Sequence, residues 1–150
     1  MTQPPFKPKS NYKHILVGVD RDDDAQKAFA YAVKRAVQDH AELTIVSVLE
    51  TSDFNIYESM SKGHIERSRY DLDAQLTKYV QLAKTAGVTK VNSLLGEGDP
   101  AEIILEAVIP KMNPDLLIIG AETKTGITRH FGSNASKLAK YAPVSTLIVR

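Results

Sequence analysis

The sequence predicts an α/β fold: a three-layer, doubly wound sheet of five parallel strands in the order 3-2-1-4-5, with helices on both faces. Three observations lead there. Short apolar runs of strand length alternate along the whole chain with segments of helical period, the pattern of βαβ units. Two of the runs, His14–Asp20 and Asp115–Gly120, are almost continuously apolar, as strands are when both faces of the sheet are covered. The chain of 150 residues contains no internal repeat and matches one domain with room for a sizeable core.

The elements follow in order. Met1 to Asn11 holds three prolines and two lysines without an apolar centre, so residues 1–11 are expected to be a flexible lead-in and residues 12–150 the domain. After the first strand, Ala25, Ala28, Phe29, Ala32, Val33, Ala36 and Val37 fall at helical spacing, with Asp22 to Asp24 suited to cap the helix and to face its positive end. Leu43 to Leu49 is the second strand. A polar connection over 50–63 leads to a helix from about His64 to Ala86, closed by Gly87.

Val88 to Leu95 reads as a third, more amphipathic strand, placed near the sheet edge. Asp99, Pro100 and Glu102 then describe a helix start: a side-chain cap, a proline where its missing N–H does no harm, and an acid three residues on that can reach back. Ile103, Ile104, Ala107 and Val108 face the core. The fourth strand ends at Gly120, a polar loop covers 121–132, a short helix spans about Ser133 to Tyr141, and Val144 to Val149 is the last strand.

Composition narrows the functional classes. Lys and Arg number 19 against 18 Asp and Glu, a net charge of +1, which argues against nucleic acid as a partner. The absence of cysteine removes disulfides, thiolate catalysis and cysteine-ligated metals and suits a reducing cytoplasm. No stretch approaches the ~18 apolar residues of a membrane span. His14, His40, His64 and His130 sit on separate elements without metal-ligand spacing. Walker, dinucleotide-fold glycine and nucleophile-elbow motifs are missing. The run Asp22 to Asp24 invites comparison with phospho-acceptor receiver domains, but those need an aspartate closing strand three and a lysine closing strand five, which this chain lacks.

Ligands of open α/β sheets sit beyond the carboxyl ends of the strands where strand order reverses, here between strands one and four. Those strands end at Asp20 and Gly120. The loop after Gly120 carries Gly126 and Gly132 and then Ser133 at a helix start, a place where backbone N–H groups can meet a phosphate. The competing reading of the same glycines is ordinary turn chemistry.

At these residues the chain resembles the universal stress protein family of the UspA type. The resemblance rests on Ile15 to Asp20, Ser47-Val48-Leu49, Gly98-Asp99-Pro100-Ala101-Glu102-Ile103-Ile104, Pro114 to Gly120, Gly132-Ser133, Ala142-Pro143-Val144 and Leu147 to Val149, in that order. It implies a dimeric, cytoplasmic stress-response module; no general base with an oriented nucleophile is visible in the sequence, so an enzyme is not expected. The resemblance also implies ATP with Mg2+ as ligand and a homodimer joined through Val144 to Val149, the alternative being a monomer whose sheet edge is covered by the N-terminal segment. By the same resemblance Asp20 and Val48 contact adenosine, while Gly120, Gly132, Ser133, Asn134 and Ala135 hold ribose and phosphates. ATP-binding members carry Gly, two residues, Gly, nine residues, Gly, then Ser or Thr. In this chain Thr123 stands where the second glycine belongs, and eight residues, Lys124 to Phe131, precede Gly132. Gly126 is the candidate replacement; Arg129 or His130, by their place in the loop, could offset phosphate charge, although a solvated surface role is the preferred reading of both. The departure leaves a second reading open, a protein-interaction module with a degenerate phosphate loop, and a third, a slow ATPase.

Overall fold

The computed structural model describes residues 5–8, 10–19, 23–50, 62–121 and 132–150. Along the chain lie β1 (His14–Gly18), α1 (Asp23–Asp39), β2 (Glu42–Leu49), α2 (Lys62–Ala86) and β3 (Val91–Glu97). Helix α3 follows as three consecutive segments, Pro100–Ile103, a π-helical turn Ile104–Val108, and Ile109–Met112. Then come β4 (Leu116–Gly120), α4 (Ser133–Tyr141) and β5 (Ser145–Val149). The five strands are parallel in the order β3-β2-β1-β4-β5, as the sequence predicts.

Alternation along each strand sorts the core into two layers. Ile15, Val17, Leu43, Ile45, Leu116 and Ile118 face α1 and α2, where Ala28, Phe29, Ala32, Leu76 and Tyr79 meet them. Leu16, Val46, Leu117 and Ile119 face the other way, against Ala101, Ile104, Val108 and Leu138 of α3 and α4. Ile15, Leu16, Val17, Leu117 and Ile118 are wholly buried, so β1 and β4 form the centre that near-continuous apolar runs require. Each such aliphatic side chain contributes roughly 1.5–3 kcal/mol of transfer free energy.

The amino ends of the strands are tied by polar contacts. Asp115 accepts the N–H groups of Lys13 and His14, both at 3.0 Å, and fixes β1 beside β4. His14 Nε2 lies 2.7 Å from the buried Thr44 Oγ1. Asp39 accepts the Tyr12 N–H at 2.9 Å and pairs with Arg35, whose guanidinium lies over the Tyr12 ring. These contacts hold the end of the sheet opposite the strands' carboxyl termini, which is where stability rather than ligand chemistry is expected.

Three boundaries differ from expectation for identifiable reasons. Val88 does not open β3: its N–H donates to Ala83 O (3.1 Å) and that of Gly87 to Lys84 O (3.1 Å), closing α2 with Gly87 at φ +112°. The strand therefore runs Val91–Glu97, at the sheet edge, and reaches Leu49 with its last residue. The first turn of α3 uses half of a capping box, since Asp99 accepts the Glu102 N–H at 3.1 Å. The π-helical turn ends two residues before Pro110, which has no N–H for the Glu106 carbonyl and whose ring would crowd it. The Ile109 N–H accordingly reaches five residues back to Ile104 O. The proposed capping by Asp22 to Asp24 lies outside the described side chains.

Candidate functional site

Strands β1 and β4 end side by side. The register Val17 with Ile118 brings Gly18 level with Ile119, and the Gly18 position lies 3.5 Å from Ile119 Cγ2 for an added β-carbon. Beyond Gly18, Val19 continues the pairing by donating its N–H to Val46 O at 2.8 Å. On the other side, Ala121 extends β4 by donating to Val149 O at 2.9 Å. The end of β2 is fastened as well, because Gly98 N–H donates to Leu49 O at 3.0 Å.

The chain that leaves at Ala121 returns beside it: the Gly132 N–H donates to Ala121 O at 3.0 Å. That bond puts the start of α4 at the carboxyl end of β4, one strand from β1, at the point where strand order reverses. Gly132 is the cap residue of α4, with φ −57° and ψ 158°, and no side chain among the described residues caps the helix. Its carbonyl accepts the Ser136 N–H at 3.0 Å, so the helix is closed from below, while among the described residues the N–H groups of Ser133, Asn134 and Ala135 have no capping side chain. An anion is favoured at such an end both by those donors and by the helix dipole.

The start of α3 is the opposite case. Pro100 has no N–H, Ala101 donates to Asn134 Oδ1 at 3.3 Å, Glu102 to Asp99 Oδ2 at 3.1 Å and Ile103 to Asp99 O at 2.9 Å. Each donor of that first turn is therefore spoken for, and the partner of one of them is a residue of α4.

The residues singled out in the sequence are placed as follows. Gly120 is buried at the end of β4, paired with Val149. Gly132, Ser133 and Asn134 stand together at the start of α4, with Ser133 exposed. Ala135 is buried among the apolar residues of that layer, so its side chain faces the core and only its N–H is offered. Val48 is half-buried at the end of β2, in register with Gly96. Asp20, Thr123, Gly126, Arg129 and His130 lie outside the described residues.

For two residues named in the sequence analysis, the structure adds what the sequence did not show. The Asn134 carboxamide turns toward α3, a direction that spacing alone does not reveal. Ser47, next to Val48, is 2 % exposed, and its hydroxyl is the one buried side-chain polar atom without a hydrogen-bond partner among the described residues. An unsatisfied buried hydroxyl costs about 1–3 kcal/mol. Ser47 faces α1 and α2 rather than α3 and α4, by alternation from Ile45. Among the described residues no group of three or more acidic or histidine side chains is arranged to hold a metal ion, and no helix is long and apolar enough to cross a membrane.

Comparison with known proteins adds kinship to this geometry. The profile of the universal stress protein family matches residues 11–150. A Staphylococcus aureus (strain USA300) protein named as a universal stress protein is 33% identical over 140 residues, which cover 93% of this chain and 84% of that one. Among solved structures, the universal stress protein UspA from Lactobacillus plantarum superposes with a TM-score of 0.80 at 26% identity, covering 95% of this chain and 100% of the other. A universal stress protein in complex with cAMP gives a TM-score of 0.72 at 24% identity over 94% of this chain and 98% of its own. One from Archaeoglobus fulgidus in complex with dAMP gives 0.69 at 17% identity, over 93% and 99%.

Proposed function

The chain belongs to the universal stress protein family, and from that premise we propose that it is a regulatory module of the stress response that binds an adenine nucleotide beyond the ends of β1 and β4. The observation that carries this reading is the uncapped start of α4, held by the Gly132–Ala121 bond at the point of strand reversal. The cAMP and dAMP complexes of two fold neighbours support an adenosine phosphate as the ligand class. In this reading the N–H groups of Ser133 to Ala135 and the Ser133 hydroxyl hold phosphate, and Val48 with Asp20 flanks the base. When ATP is the nucleotide, bound Mg2+ would offset the charge of its phosphates.

The donor set supports the module reading, since it offers hydrogen-bond donors that hold an anion. A cytoplasmic setting suits a chain without cysteine. The test is a calorimetric titration of nucleotide-free protein with AMP and with ATP and Mg2+. Binding with a Kd on the order of micromolar is expected. Folded protein that takes up neither ligand would overturn the nucleotide reading in favour of a protein-interaction module, and rapid ATP hydrolysis would overturn the non-enzymatic one.

We further propose that two copies pair through β5. This strand closes one side of the sheet, and Leu147, Ile148 and Val149 are only half-buried. Because Val149 turns its carbonyl to β4, alternation turns the N–H and C=O groups of Ile148 and Thr146 to the outer edge, where no described strand pairs with them. Replacement of Thr146 by proline removes an outward donor and leaves the β4–β5 ladder intact. The variant is expected to be a folded monomer by light scattering, and a folded dimer would move the interface elsewhere. Leu147→Asp is a poorer probe, since Leu147 packs against the core layer under α1 and α2.

A further inference from the structure

The starts of α3 and α4 lie against each other, and Asn134 decides which of them is open. Ala101 is wholly buried, so its N–H has no access to water and requires a partner within the protein. Asp99, the cap of α3, serves Glu102 instead. Asn134 Oδ1 supplies the missing acceptor at 3.3 Å, from the second residue of α4. In the same stroke the first turn of α4 is docked on α3, with Ala135 following into the core layer shared by both helices. The side chain is thus committed to the protein, while the N–H of the same residue stays with the open end of α4.

We propose that Asn134 is a positioning residue of the nucleotide site: its carboxamide closes the start of α3, fixes the direction of α4, and so keeps the N–H groups of Ser133 to Ala135 aimed at a phosphate. This rests on the nucleotide reading and assigns the Asn134 side chain a role different from direct contact with ribose or phosphate. Rigid support of this kind matters because donors held in place before the ligand arrives stabilise its charge without a cost of reorganisation. The effect falls on the phosphate part of the ligand and not on the base, which lies toward β1 and β2.

The experiment compares wild type and Asn134→Ala for binding of AMP and of adenosine, together with hydrogen exchange of the Ala101 amide. The variant is expected to expose the Ala101 amide to faster exchange and to bind AMP about three- to tenfold more weakly, the worth of one hydrogen bond. Adenosine, which has no phosphate, is expected to bind both proteins alike. Equal AMP affinity in the two proteins would overturn the positioning role, and so would a parallel loss for AMP and adenosine, which marks general loosening of the fold. Failure of the wild type itself to bind either ligand would instead sink the nucleotide reading, and this proposal with it. Should Asn134→Ala unfold, Asn134→Ser, whose shorter side chain keeps a polar group but falls short of Ala101, is measured in its place with the same expectations.

Discussion

Gly132→Glu is expected to abolish nucleotide binding while leaving the fold intact. The two halves of that statement have separate physical causes. Gly132 has φ −57° and ψ 158°, a backbone open to any residue, so glutamate enters without the strain that a left-handed glycine would impose. At the start of α4 its carboxylate even meets the favourable end of the helix dipole, worth about 0.3–1 kcal/mol. The same attraction makes it an intramolecular competitor for the donors that a phosphate would use, and it repels the phosphate charge as well. Thermal unfolding should therefore stay level or rise slightly, while calorimetric heat with AMP and ATP disappears. Gly132→Ala is the control, adding bulk without charge and losing less affinity. Undiminished nucleotide binding by a folded Gly132→Glu protein would place the ligand away from α4.

The strands were legible from hydrophobic pattern, and their order from the usual arrangement of a five-stranded doubly wound sheet. His14–Asp20 and Asp115–Gly120 read as strands buried on both faces, and β1 and β4 occupy the centre as that reading requires. The more amphipathic third strand falls at the edge. Helix α4 was bounded correctly at Ser133 and Tyr141, since a glycine before a serine and a proline after Ala142 punctuate it clearly. What pattern could not supply were contacts made across the fold. Val88 looks like a strand residue by composition, yet a hydrogen bond to Ala83 draws it into the closing turn of α2. Pro110 announces a disturbance in α3 but not that the helix would widen into a π-turn. Asn134 beside Gly132-Ser133 reads as one more polar residue near a phosphate, and only the proximity of Ala101, 33 residues away in sequence, reveals what its side chain does. Asp20, Thr123 and Gly126 lie outside the described residues, so the departures in the loop bear on the function through the sequence alone.

Gly96→Val is expected to destabilise the protein by about 3 kcal/mol, near the upper end of what overpacking of a core position costs. A β-carbon at Gly96 would stand 2.8 Å from Ile103 Cγ2, closer than non-bonded carbons approach. That methyl is attached directly to a branched β-carbon and cannot swing clear, so the first turn of α3 must move away from β3. Gly98, at φ +131° and 3.4 Å from Ile103 for an added β-carbon, confines the same turn from the other side. The displacement is transmitted further, because the first turn of α3 carries the Ala101 N–H that Asn134 accepts. Gly96→Val should therefore weaken AMP binding as well as stability, although Gly96 sits on β3, two strands from β1. Trimming the obstacle provides the decisive control: in the double variant Gly96→Val, Ile103→Ala, the clash is removed and the two effects should be strongly non-additive, with a coupling of about 0.5–3 kcal/mol in chemical denaturation. Strict additivity would mean that the contact between Gly96 and Ile103 does not set the position of α3. Recovery of stability together with AMP affinity would tie the close approach of β3 and α3 to the geometry of the nucleotide site.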